Sequence, residues 1–414
     1  MDYYLRFFET ETDYTNNKDD FKYPTVAYVE ETEEVKWMTL QEKYAKEYLT
    51  FEALEDGTFT LTIPANVDST YMTSVSYSTD DGETWTTTTV DNTAQTITTP
   101  TITQGNKVLW RGNGTQMSKS TSRNNFSYFS STGNFNVSGN IMSLIYGDDF
   151  QNNTSFNSGS NYNFANIFKN ATKLTDAVKL ILPATTLATS CYQNMFDGCT
   201  ALTTAPELPA TTLATYCYTS MFNGCTALTT APELPATTLA DYCYRYMFQN
   251  CTGLTTAPEL PVTTLATNCY EFMFSGCTSL TTAPELPATT LANYCYSYMF
   301  YGCTSLTTAP VLPATTLVNN CYYQMFSDCT SLTTAPVLPA TTLVNNCYYQ
   351  MFQGCTNLNY IKAMFTTTPS TTYTQNWVNG VASTGTFVKN SAATWNVTGI
   401  HGIPTGWTVQ TASE

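Results

Sequence analysis

The sequence predicts an α+β fold, in which a solenoid of seven full 26-residue repeats follows a small antiparallel β-sandwich. The first observation is that all 14 cysteines fall into two series that step by 26 residues and are offset by 8. The second is a group of short β-branched segments before the repeats. A fixed period in this range is typical of stacked repeats, because one repeat cannot bury its own apolar face. The first series is Cys191, Cys217, Cys243, Cys269, Cys295, Cys321 and Cys347, and the second is Cys199, Cys225, Cys251, Cys277, Cys303, Cys329 and Cys355.

The chain begins with an acidic segment, residues 1–45. Residues 25–38, TVAYVEETEEVKWM, predict two short strands around the acidic turn Glu30–Glu34. Residues 1–60 hold 15 acidic and 6 basic side chains, a balance of −9. Since this element is too short to enclose a large core, we expect it to dock on a partner.

Residues 46–116 predict an Ig-like β-sandwich. Six segments are short, β-branched or aromatic and separated by turn residues, a pattern that favours an antiparallel sandwich. They read YLTFEAL, GTFTLTI, TSVSYSTD, GETWTTTTV, QTITTPTI and NKVLWRG.

One motif in this region, Ser78 to Trp85, resembles the Asp box S-x-D-x-G-x-T-W of sialidases and other β proteins. The residues favour a structural hairpin, because Asp80 can accept hydrogen bonds from turn amides and Gly82 permits a positive φ. A sialidase site would need several copies and an arginine cluster. The chain has one copy and four arginines.

The repeats are flanked by two further segments. Residues 117–181 predict a linker and an N-terminal cap, since Ala165–Leu174 is a degenerate repeat with Ala171 in place of a cysteine. Residues 182–360 are predicted to form the solenoid. Residues 361–414 predict a C-terminal β cap with strands in TGTFVKN, TWNVTGI and GWTVQ, and a turn at residues 402–406.

Within one repeat, LTTAPELP predicts an extended segment whose ladder is interrupted by its two prolines. YCYTSMFNGC predicts about two helical turns that end near Gly224, with Cys217, Met221 and Cys225 on one inward face. Along a helix Cys217 and Cys225 would be about 12 Å apart, too far for a disulfide. We therefore expect buried free thiols. Zinc is disfavoured because CxxC spacings and histidine partners are absent, so neither a metal nor a cofactor is expected.

Tyrosine follows the first cysteine of every repeat, as Tyr218 follows Cys217. A ladder of this kind invites a sugar-binding interpretation, but a residue present in all copies fits a core role better. Specific binding favours positions that differ between copies, such as those equivalent to 216 and 220. The candidate ligand-binding residues are therefore the aromatic ones at these positions in the middle repeats, namely Tyr242, Tyr246, Phe272, Tyr294 and Tyr298.

The consensus MF-x-GCT-x-LTTAP-x-LPATTLA resembles the leucine-rich repeats of the BspA-like family over residues 165–360. The segments SGNIMSLIYGDDF, NWVNGVASTGTFVKN and GIPTGWTVQ are similar to those in repeat proteins of gut Bacteroides and their phages. The resemblance implies a leucine-rich-repeat solenoid used for adhesion. It brings no catalytic residues.

Three functions follow as hypotheses. A phage virion protein, such as a fibre, tail or capsid-decorating protein, fits a sequence without a secretory signal peptide at Met1. A bacterial cell-surface adhesin would need an export signal. A glycan-processing enzyme rests on the Asp box alone, so we expect no enzymatic activity.

The expected partners are other virion proteins at the N-terminal region and a host surface protein or glycan at the solenoid. The net charge of −16 disfavours nucleic acid, and no apolar run is long enough for membrane insertion. Self-association is left open.

Overall fold

The computed structural model describes residues 45–65, 71–117, 126–156 and 160–412, and the backbone of three strands before them. These strands are β1 (Tyr4–Phe8), β2 (Thr25–Val29) and β3 (Glu34–Met38). The predicted pair β2 and β3 is antiparallel, and β1, which the sequence pattern did not reveal, pairs with β2 in parallel. Most of the predicted acidic turn lies outside the described residues.

All six segments predicted between residues 46 and 116 form strands. They are β4 (Leu49–Ala53), β5 (Phe59–Ile63), β6 (Met72–Ser78), β7 (Thr86–Thr89), β8 (Gln95–Thr98) and β9 (Lys107–Gly114). Alternate side chains of β5 are buried, as a strand with one face on a core requires. Phe51 of β4 contacts Phe59 of β5, with ring centroids 5.4 Å apart.

The segment expected to be a linker adds three strands, β10 (Tyr128–Ser131), β11 (Phe135–Asn140) and β12 (Leu174–Ile181). The strand orders are β10-β5-β8 in one sheet and β12-β11-β4-β9-β6-β7 in the other. The β-structure therefore extends past the expected boundary at residue 116. Because β12 pairs in parallel with β11 and Asp176 bridges to Thr204, the larger sheet continues directly into the repeats.

Two short helical elements, α1 (Ser143–Tyr146) and a 3-10 helix (Gly147–Asn152), lie between β11 and the first repeat. A further short helix, α2 (Thr371–Thr374), follows the last cysteine. No helix in the described ranges is both long and apolar enough to cross a membrane.

The Asp-box segment is a hairpin turn between β6 and β7. Asp80 accepts hydrogen bonds from the Ser78 hydroxyl (2.6 Å) and the Thr84 amide (2.9 Å), and Gly82 has φ 91°. These bonds lower the pKa of Asp80 to about 2. The Trp85 indole donates to the Gly82 carbonyl at 3.1 Å, which closes the turn.

The predicted helix in each repeat is wrong. Residues 215–224 instead form a run of tight turns, named here the turn ribbon, in which alternate amides have different partners. The Met221 amide donates three residues back to the Tyr218 carbonyl (3.1 Å), whereas the Phe222 amide donates to Met247 of the next repeat (2.9 Å). The same pattern recurs in each full repeat, so the α+β class expected from these helices does not apply to the repeats.

The spacing between repeats explains this difference. Extended segments pair at about 4.8 Å, whereas packed helices need about 8–10 Å. The repeats bridge through threonines on their extended segments, for example Thr230 to Thr256 and Thr264 to Thr290. A helix in each repeat would require wider spacing on that side and would curve the stack, whereas the turn ribbon keeps close spacing there through its own bonds between repeats.

The interior consists of ladders that run through all repeats. Tyr218 and Tyr244 stack with centroids 5.9 Å apart, and Phe222 and Phe248 with centroids 5.6 Å apart. The prediction that the repeated tyrosines belong to the core is confirmed, and each of them stacks on its equivalent in the next repeat. All 14 cysteines are buried and free, as predicted. The Cys225 thiol donates to the Phe196 carbonyl at 3.2 Å.

Both ends of the stack are modified repeats. The degenerate segment around Ala171 forms a turn ribbon that donates to the first full repeat, and Phe168 stacks on Phe196. At the other end the Phe352 amide donates to the Trp377 carbonyl. This end also contains a parallel sheet of β13 (Tyr360–Ala363), β14 (Thr386–Lys389) and β15 (Thr408–Thr411). TWNVTGI contributes only a bridge between Thr398 and Ile403, so the strand predicted there is wrong.

The turn ribbon requires glycine at Gly276. The backbone φ is 76° there, and an added Cβ would lie 2.5 Å from Oδ1 of Asn250. We expect Gly276→Ala to lower the free energy of unfolding by about 2 kcal/mol, through backbone strain and this contact. Gly105→Ala is the matched control, because φ is 84° there but nothing lies within 4 Å. Urea unfolding of both variants measures the difference, and equal losses would contradict the contact.

Candidate ligand-binding surface

The turn ribbon places three residues per repeat in the left-handed backbone region, four positions apart. We name the resulting rows columns A, B and C, which contain Tyr216, Ser220 and Gly224 of one repeat. In the full repeats column A reads Ser190, Tyr216, Tyr242, Asn268, Tyr294, Asn320 and Asn346; column B reads Asn194, Ser220, Tyr246, Phe272, Tyr298, Gln324 and Gln350; column C reads Gly198, Gly224, Asn250, Gly276, Gly302, Asp328 and Gly354.

The choice of residues differs between these columns. Column C uses only Gly, Asn and Asp, which tolerate a positive φ. Columns A and B hold bulky aromatic residues at φ between 56° and 60° in the middle repeats, including Tyr246 and Tyr298. A bulky side chain costs about 1–2 kcal/mol in this conformation. Such strain at a variable position is the kind of outlier that marks a functional surface.

Three of the five candidates form one stacked line along column B. The ring centroids of Tyr246 and Phe272 are 4.9 Å apart, and those of Phe272 and Tyr298 are 4.1 Å apart. The rings of Tyr298 and of Tyr323 in the next repeat have centroids 5.3 Å apart. The side-chain amide of Gln324 donates to the Tyr298 hydroxyl at 3.2 Å. The line therefore extends beyond the predicted residues.

Tyr242 belongs to a separate stack with Tyr216, at 4.5 Å. Arg245 joins this stack to the column B line, because its guanidinium carbon lies 5.6 Å from the Tyr242 centroid and 4.5 Å from the Tyr246 centroid. Arg245 also forms an ion pair with the buried carboxylate of Glu271. The side-chain amide of Asn268 donates to the same carboxylate at 2.8 Å.

Tyr294 is the most exposed of the five candidates and stands apart from them. Its exposed fraction is 40%, and no ring of the described residues stacks on it. The equivalent positions in the two adjacent repeats are Asn268 and Asn320, both buried. The structure therefore divides the five candidates into the column B line, the Tyr216–Tyr242 stack and a single ring at Tyr294.

Several residues on this surface were missed from the sequence. Arg245, Glu271, Tyr323 and Tyr349 share the position that precedes column B, and Tyr323 stacks on Tyr349 at 4.3 Å. Tyr301, exposed at 36%, makes an edge contact with Tyr298 at 5.9 Å. Both positions vary between repeats, so the criterion used for columns A and B would have found them if extended along the ribbon.

The surface offers neutral phenols and the carboxylate of Asp328. Burial raises the pKa of Tyr298, and burial together with the nearby Asp328 carboxylate raises the pKa of Tyr301. These hydroxyls remain protonated donors at neutral pH. The arrangement can bind a ligand through ring contacts and hydrogen bonds.

Comparison with protein families matches residues 241–376 to the BspA type leucine-rich repeat region, in six copies. Comparisons with curated proteins and with solved structures gave no match. The matched residues contain all five candidates and most of the turn ribbons. The match supports the resemblance of the chain to BspA-like leucine-rich-repeat proteins, whose repeats suggest a role in surface adhesion or recognition.

Proposed function

We propose that the chain is a non-enzymatic adhesion protein of a phage virion, a fibre, tail or capsid-decorating component that presents its repeats to ligands on the host or mucosal surface. One observation carries the recognition role. The backbone of columns A and B is the same in every repeat, whereas their side chains change from Ser to Tyr, Phe, Asn and Gln. Repeat proteins build binding surfaces in this way, since a constant scaffold presents variable side chains.

The virion assignment rests on the resemblance of the flanking segments to repeat proteins of gut Bacteroides and their phages. The acidic N-terminal segment with β1–β3 would attach the chain to other virion proteins. The alternative is a BspA-like adhesin on the bacterial cell surface, which the family match favours.

Two locations are distinguished by mass spectrometry of purified phage particles and of host envelope fractions. We expect peptides of the chain in particles at a stoichiometry similar to that of known structural proteins. Peptides in the envelope of uninfected cells, and none in particles, would establish the alternative.

The recognition role predicts a loss of adhesion when the candidate surface is changed. A variant with Asn in place of Tyr242 and Tyr294 and Gln in place of Tyr246, Phe272 and Tyr298 carries residues that other repeats hold in the same columns. We expect the full-length variant to fold and to bind Bacteroides cells or mucin at least about tenfold more weakly, since aromatic residues dominate interface energies. Cell-binding titrations of the unsubstituted chain and of the variant measure the change in affinity. Unchanged binding would contradict the assigned surface.

A further inference from the structure

We propose that the exposed rings of Tyr294 and Tyr301 each stack on a pyranose unit of an uncharged, hydroxyl-rich glycan. This inference rests on the recognition function proposed above and names its ligand class. Exposure gives the first reason. Only three tyrosines of the described residues are exposed by 36% or more, and two of them, Tyr294 and Tyr301, belong to the same repeat.

The other aromatic residues of the surface already cover each other. Phe272 is stacked on Tyr298 at 4.1 Å, Tyr216 on Tyr242 at 4.5 Å, and the guanidinium of Arg245 lies 4.5 Å from the Tyr246 centroid. Ring faces that are covered in this way are closed to a stacking ligand, so these residues can contact one only through their ring edges and hydroxyl groups. Tyr294 lacks such a neighbour among the described residues because its column holds Asn268 and Asn320 in the adjacent repeats.

An open tyrosine face suits a pyranose ring. The face carries partial negative charge, whereas the axial C–H groups of a pyranose carry partial positive charge, so the two flat surfaces attract each other. Tyrosine also provides a large contact area with little conformational entropy to lose.

The surroundings of the two rings suit hydroxyl groups. Asn293 and Asn319 are exposed in the ribbon beside Tyr294 and in the next repeat. The Tyr301 hydroxyl lies beside the Asp328 carboxylate. The side-chain amides can donate hydrogen bonds to sugar hydroxyls and accept hydrogen bonds from them, and the carboxylate can accept them.

The negative charge of the protein favours neutral glycans over anionic ones. Asp328 places negative charge near Tyr301, and the chain as a whole has a net charge of −16. Sialylated or sulfated sugars would be repelled by this field. A protein partner is less favoured, because two separate exposed rings offer far less apolar area than the roughly 800 Å² per partner of a typical stable interface.

The test uses Tyr294→Asn and Tyr301→Ser in the full-length chain. Both adjacent repeats carry these residues at the equivalent positions, Asn268 with Asn320 and Ser275 with Ser327, so each variant is expected to fold. Tyr294→Phe keeps the ring and removes the hydroxyl. Tyr128→Thr is the matched control, because Tyr128 is exposed by 41% on β10, outside the repeats.

The probes are arrayed oligosaccharides of glucose, mannose, galactose and xylose, with sialylated and sulfated oligosaccharides beside them. We expect binding to at least one neutral probe and to none of the anionic ones. Tyr294→Asn should weaken it about fivefold to tenfold, a stacking contribution converted at tenfold per 1.4 kcal/mol. Tyr294→Phe and Tyr128→Thr should retain it.

Three results would overturn the inference, namely no glycan binding, binding that survives both tyrosine substitutions, and preference for anionic probes. If the chain still adheres to cells, and that adhesion is lost when the cells are treated with protease, the ligand is a protein and the proposed adhesion function stands without the glycan. If neither glycans nor cells bind, both proposals fail.

Discussion

The repeat stack is expected to unfold steeply as the pH rises above about 9, the usual pKa of a thiol. Burial is the main cause that raises the pKa of all 14 cysteines, to about 12 at Cys217 and Cys251. Burial also raises the pKa of the tyrosine ladder, including Tyr218. In the unfolded chain these thiols ionise near their ordinary pKa, whereas in the folded chain they stay protonated.

The sign of the effect follows from proton binding. Above about pH 9 the unfolded chain binds fewer protons than the folded one, so stability is fully present below that pH and is lost as the pH rises toward 12. Each thiol that ionises only on unfolding lowers the free energy of unfolding by about 1.4 kcal/mol per pH unit. Because the thiols act together, the transition should be much steeper than for a protein with one buried cysteine.

Circular dichroism against pH measures this transition, and a thiol reagent counts accessible cysteines before and after it. We expect no reaction in the native protein at neutral pH and 14 reactive thiols after unfolding. Cys251→Ala is a suitable comparison, because the degenerate first repeat has Ala171 at the corresponding position. The free energy of unfolding of this variant should fall less steeply with pH, by the contribution of one thiol, about 1.4 kcal/mol per pH unit. A native protein whose thiols react, or that is unaffected up to pH 12, would refute the buried ladder.

Tyr270→Ala is expected to cost about 3–5 kcal/mol of unfolding free energy, the range for removing a fully buried aromatic side chain. Tyr270 is 2% exposed and stacks between Tyr244 and Tyr296, with centroids 6.0 and 5.9 Å away. The substitution would leave a cavity that interrupts the ladder. Since each repeat contacts only its neighbours, the loss should be centred on the adjacent repeats.

Phe272→Gln is the matched control in the same ribbon. Phe272 is half-buried on the outer surface, and Gln324 and Gln350 occupy its column in later repeats. Its substitution should cost about 1–3 kcal/mol, the size of the two ring–ring contacts that it loses to Tyr246 and Tyr298. Urea unfolding of the two variants compares them. Equal losses would mean that the tyrosine ladder is not the interior of the stack.

Much of the architecture could be predicted from particular residues. The alternation in GTFTLTI and its neighbours predicted β4–β9, and the Asp-box residues predicted the hairpin at Asp80. The identical spacing of the cysteines predicted the repeats and, with leucine and methionine, their inward side. The strands β10 and β11 were missed because Ser, Asn and Gly dominate their surroundings.

The helix error has a physical cause. Cys217, Met221 and Cys225 are spaced by four residues, and both an α-helix and the turn ribbon place such residues on one side. Sequence periodicity cannot separate the two. The hydrogen bonds distinguish the two structures. Amides such as that of Phe222 bond to the next repeat, whereas an α-helical amide bonds to the carbonyl four residues back in its own helix.

The sequence by itself determined the period of the repeats, the buried set within each and the positions at which the copies differ, because these depend on residue identity and spacing. Only the tertiary structure decided which aromatic side chains have a free face. Tyr246 and Phe272 look equivalent to Tyr294 in the sequence, but the first two stack on aromatic neighbours and Tyr294 does not. That difference arises from what the adjacent repeat places about one strand spacing away.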